Sequence, residues 1–73
     1  MIVAAIYIDV VDPAGLGHRL LLEGDSIYGA ENLAHPHPEG QRRAFLIALL
    51  SRIRSARNGD YQGYSWRPVV EQV

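Results

Sequence analysis

The sequence contains no cysteine and no lysine. The missing cysteine rules out disulfides and thiolate metal sites, and it leaves the redox compartment undetermined. The missing lysine makes every side-chain cation other than histidine a guanidinium. Guanidinium groups fork onto carboxylates and phosphates and stack on aromatic rings. Codon usage in a GC-rich genome accounts for the bias without a functional cause. A long apolar run is also missing. Residues 2–8 are too few to cross a bilayer and lack the basic start of a signal peptide, so a cytoplasmic protein is expected. Aromatics are scarce, with one tryptophan and one phenylalanine beside four tyrosines.

With 73 residues, 48% of them hydrophobic and 21% charged, the chain reads as one globular domain over 1–73. A core this small is marginal, so close packing, self-association or a partner is expected to support it. The charge is segregated. Residues 1–41 hold six carboxylates and Arg19, a formal −5. Residues 42–73 hold six arginines with Asp60 and Glu71, a formal +4. Such a division suits recognition by position rather than by bulk attraction.

Residues 2–11 are rich in β-branched side chains and predict a strand. Ile2, Ala4, Ile6, Ile8 and Val10 share an apolar face, and the opposite face is mixed. Residues 12–17 carry turn chemistry in Asp12, Pro13, Gly15 and Gly17. A returning strand over 18–24 follows, and a short third strand over 26–32 is interrupted by Gly29.

His35-Pro-His-Pro leads into a helix over 39–57, with Pro38 and Glu39 suited to its positive end. Phe45, Leu46, Leu49, Ile53 and Ala56 form its apolar stripe, and Asn58-Gly59 is the expected stop. Residues 64–73 predict a last strand that Pro68 confines to an edge or kinks. The fold class expected is α+β: a small antiparallel sheet of three to four strands with one helix on one face, in the order β-β-(β)-α-β. The uncovered sheet face then asks for solvent, a second copy or a partner. A homodimer is one answer.

No catalytic signature stands out, and a non-enzyme with no cofactor and no metal is expected. His35, His37, Glu39 and His18 are competent zinc ligands, but their spacing is better explained as a helix entry. Asp9 and Glu39 resemble the carboxylate placement of a two-metal nuclease, yet the last strand supplies no aspartate. Gly15-Leu-Gly17 lacks the continuation of a phosphate loop.

Two surfaces are candidates for contact with a partner. One is the helix face with Arg43, Ile47, Arg54 and Arg57. The other is the aromatic strand end with Tyr61, Tyr64, Trp66 and Arg67, residue types enriched at interface hot spots. Trp66 is equally well placed to pack under the helix, whereas Tyr61 and Tyr64 lie beside glycines and are expected at the surface. An alternative acidic face comprises Asp9, Asp12, Glu23 and Asp25, which could mimic phosphates against a basic cleft. Direct nucleic-acid binding through the arginine-rich helix is a competing reading, opposed by the acidic first half.

The stretch AHPHPEGQRRAFLIALLSRI, residues 34–53, resembles the Pro-led amphipathic helix of small phage-encoded inhibitors, including anti-CRISPR proteins. That resemblance implies a stand-alone α+β domain that occludes a host complex handling nucleic acid, and it carries over no catalytic residue. The β-β-β-α-β order also resembles the partial ribonuclease H-like domain of HicB-like antitoxins. The chain departs from that pattern in lacking a Pro-Asp-Leu-Pro-Gly segment after the third strand.

Overall fold

A computed structural model describes residues 4–55 and 57–72; the expectations for Ile2, Val3, Ala56 and Val73 lie outside them. Strand β1 (Ala4–Val11) runs into a tight loop that Asp12 closes. Its Oδ1 accepts from the backbone N–H groups of Ala14 and Leu16, both at 2.9 Å. Strand β2 (Gly17–Glu23) returns alongside β1, and the short β3 (Ser26–Tyr28) turns back again after Gly24-Asp25. A 3-10 helix (Ala30–Ala34) then carries the chain across the sheet to helix α1 (Glu39–Ile53). Strands β4 (Gly59–Tyr61) and β5 (Tyr64–Gln72) finish the chain.

Among the described residues the fold is α+β, with one α-helix and a five-stranded antiparallel sheet in the order β3-β2-β1-β5-β4. The expected order omits one strand. Residues 59–61 pair with 64–66 through a two-residue turn at Gln62-Gly63, both of positive φ (50° and 86°). That turn matches the right-handed twist of the flanking strands. The expected third strand is also shorter. It stops at Tyr28 because Gly29, at φ 94°, turns the chain into the 3-10 helix.

Helix α1 begins where Pro38 and Glu39 place it, but it ends at Ile53, before the Asn58-Gly59 stop. Gly59 already belongs to β4, so the intervening residues are needed as a connection. Strand β4 reaches only to Trp66 of β5, so Pro68 lies where the outer edge of β5 has no partner strand. A missing N–H costs nothing there.

The core lies between the sheet and the α1 layer. Ile8, Val10 and Leu20 come from the sheet, Leu33 from the 3-10 helix, and Phe45, Leu49 and Ile53 from α1. The spacing of the α1 residues, four apart, puts them on one side of the helix. Tyr64 and Trp66 complete the core from β5. The Tyr64 hydroxyl donates to the Leu33 carbonyl at 3.0 Å and so ties β5 to the 3-10 helix. Among the described residues, no helix is long and apolar enough to cross a membrane.

Candidate partner-binding surfaces

The side of α1 turned away from the core is apolar as well. Residues 44–50 are seven consecutive apolar residues, which fill the whole circumference of two helical turns. One side of them covers the sheet. On another, Ile47 stands 61% exposed between half-buried Leu46 and Leu50. Arg43 and Arg54 frame these side chains, and together they bound a groove of about 510 Å³ that Glu39 and Arg42 close at the N-terminal end of the helix.

Three of the four helix residues singled out by sequence therefore converge on one surface: Arg43, Ile47 and Arg54. Arg57 is exposed but lies beyond the end of α1, outside the groove. Leu46 and Leu50 are additions: helical spacing puts Leu46 on the core stripe and Leu50 at its border, and both pack partly against the core while also lining the groove. The unbroken apolar run is the signal that marks them.

Not every arginine on α1 is available to a partner. The Nε of Arg42 donates to the His37 carbonyl at 3.0 Å. Arg52 donates to the Ala48 carbonyl at 2.8 Å and lies 4.0 Å over the Tyr61 ring.

The aromatic surface does not form. Tyr64 and Trp66 are 2% and 6% exposed, so they are core residues rather than partner contacts. The cause is strand alternation: both share the inward face of β5, and Trp66 lies flat over Gly59, which has no side chain to obstruct it. Tyr61 is half-buried under Arg52, and Phe45 packs 5.0 Å from Tyr64. Arg67 remains exposed, but on the other face of the sheet.

The acidic face is divided too. Asp9 projects from the open face and takes a two-pronged hydrogen bond from Arg19, at 2.8 and 3.2 Å. That bond, followed by the charges of Arg19 and Arg67, holds its carboxyl below the ordinary range. Asp12 is lowered by the hydrogen bond from His18, at 3.0 Å, and by the N–H groups of Leu16 and Ala14. Both carboxylates serve the fold. Glu23 and Asp25 are exposed at the β2–β3 turn.

The residues weighed for metal binding are separated. Asp9 is on the open face, whereas Glu39 opens the helix on the opposite side. His35 is exposed, and His37 packs its ring 3.9 Å from Phe45. Among the described residues, no three histidines or carboxylates gather as a metal site would need. No protein family, curated protein or solved structure matches this chain.

Proposed function

We propose that this chain is a small non-enzymatic binding protein that acts by occluding a macromolecular partner, in the manner of a phage-encoded inhibitor of a nucleic-acid-handling defence complex. The observation that carries the reading is the outer groove of α1. An exposed isoleucine flanked by two leucines and rimmed by arginines has the make-up of an interface hot spot, an apolar centre inside a polar ring. The exposed rim of Arg43 and Arg54 suits an acidic protein surface bearing an apolar knob. The acidic hairpin supports a phosphate-mimic mode less well, because Asp9 and Asp12 are already bonded. The same holds for nucleic-acid binding through α1, since Arg42 and Arg52 are engaged within the chain.

The test is an affinity capture from bacterial lysate, with and without nuclease, comparing the native chain with Ile47→Asp. A stoichiometric protein partner is expected to survive nuclease. Its recovery should fall at least about tenfold with Ile47→Asp, the loss expected for a hot-spot residue. A partner retained in full by the variant, or nucleic acid recovered alone, overturns the reading.

A further inference from the structure

The outward stripe of α1 is nearly its own complement. At about 100° per residue, Glu39, Arg43, Leu46, Ile47, Leu50 and Arg54 lie within about 50° of one line along the helix. Arg54 keeps helical geometry, at φ −60° and ψ −18°, so the spacing holds to the end. The stripe is symmetric about the point between Leu46 and Ile47. Counting outward from there, Leu46 answers Ile47, Arg43 answers Leu50 and Glu39 answers Arg54. The centre is apolar, and the two ends carry opposite charges.

We infer that a second copy of the chain covers this groove when no other partner does, with the two α1 helices antiparallel across a twofold axis level with that point. The inference rests on the reading of the groove as an interaction surface. A twofold axis between the helices and perpendicular to both brings Leu46 and Ile47 onto their own counterparts. It lays Arg43 over the partner's Leu50 and sets Glu39 beside the partner's Arg54. The Glu39–Arg54 pair then forms twice, once at each end, because a closed twofold contact repeats every pairing. Packed helices lie about 8–10 Å apart, within reach of side chains of this length.

The charged groups invoked are available. Glu39, Arg43 and Arg54 are exposed, and none makes a side-chain hydrogen bond or ion pair to another described residue. Arg42, held by the His37 carbonyl, is not needed. Each copy brings Arg43 and Arg54 against Glu39, so the contact keeps a surplus of positive charge. Arg43 lays its apolar stem on the partner's Leu50 and leaves its head in water. The surplus keeps the self-contact weak, so an acidic partner surface displaces the second copy. The dimer is a cover for the groove, exchanged for the partner.

The test is a charge exchange between the two ends of the stripe. Sedimentation of the purified native chain from micromolar to millimolar concentration is expected to show a monomer–dimer equilibrium. Glu39→Arg and Arg54→Glu should each weaken it at least about tenfold, since each sets like charges together at both ends. An equal mixture of the two variants should restore association, because both end pairs are then opposite in sign. Ile47→Arg should abolish the dimer, and Arg67→Glu, on the open sheet face, should leave it unchanged. Should a charge variant lose its helix by circular dichroism, Ile47→Arg decides, because that side chain is exposed in the single chain. A native chain that stays monomeric throughout overturns the proposal. So do folded charge variants that dimerise normally, a mixture of folded variants that stays apart, an Ile47→Arg chain that dimerises normally, and a dimer lost with Arg67→Glu. The purified chain meets no lysate protein, so this result is independent of the capture experiment. A monomeric chain that still captures a partner sinks only the dimer, and a dimer that captures none sinks only the occlusion reading.

Discussion

Gly59 shows how one residue can carry two unrelated signals. Beside Asn58 it reads as a helix stop, but the helix has already ended at Ile53. In the fold Gly59 is the seat of the Trp66 ring: a Cβ there would come within 2.8 Å of the ring carbon Cζ2. A buried indole cannot swing aside without disturbing Val10, its neighbour across the β1–β5 ladder. Gly59→Ala is therefore expected to cost about 1–3 kcal/mol, the range for forcing extra volume into a packed site. Gly40 in the first turn of α1 provides the contrast, since nothing lies within 4 Å of its Cβ position. Gly40→Ala should be neutral or stabilising by up to about 1 kcal/mol, because it limits only the unfolded chain. Urea unfolding of both variants reads the difference in sign. The role of Gly59 is not legible locally, since the residue it serves is seven positions away and meets it only through the β4–β5 hairpin.

Among the elements, α1 was the most legible and β4 the least. The α1 pattern is local: a proline entry, a glutamate at the positive end, and Phe45, Leu49 and Ile53 at helical spacing. Strand β4 has three residues, one of them glycine, too few to display an alternation. It exists because Tyr64 and Trp66 give it a template to pair with. Burial of those two side chains was the main misreading at the candidate surfaces. Gly63 beside Tyr64 suggests a loop, whereas with Gln62 it forms the tight turn that returns the tyrosine to the core. Exposure of Ile47 was legible, because it falls off the stripe. The two sides of α1 predict opposite responses to truncation. Leu49→Ala empties a fully buried position and should cost about 2–5 kcal/mol. Ile47→Ala removes exposed surface and should change stability by less than about 0.5 kcal/mol. Thermal melting of the pair checks this, and equal losses would mean that the outer side of α1 is already covered within the chain.

At the scale of the molecule, the shape is long and thin, 44 by 22 by 17 Å, and the packed core does not fill it. Val70 marks the end where cover is thin: it shares a row with Ile6, Leu22 and Ile27 on the helix side of the sheet, yet it is 63% exposed. With so little burial in reserve, even the small contribution of exposed electrostatic tethers counts. Asp9 joins β1 to β2 through Arg19, and Asp12 closes the loop between the same strands. Both carboxyls are held below their ordinary value of 3.8 in the folded chain. The sign of the consequence follows from proton linkage. A depressed folded-state value adds stability that is fully present above 3.8 and is lost as pH falls through the folded-state values. Stability should therefore show no contribution from these groups to its pH dependence near neutrality, and an acid limb below 3.8. Asp12→Asn isolates the charged part of one tether, because an amide oxygen can still accept from Ala14 and Leu16. The variant should be less stable than the native chain at neutral pH, and the gap should close as the native carboxyl takes up its proton. Urea midpoints measured from neutral pH down through the acid limb decide it. Parallel curves at every pH would show that the Asp12 charge contributes nothing and that the loop is held by geometry alone.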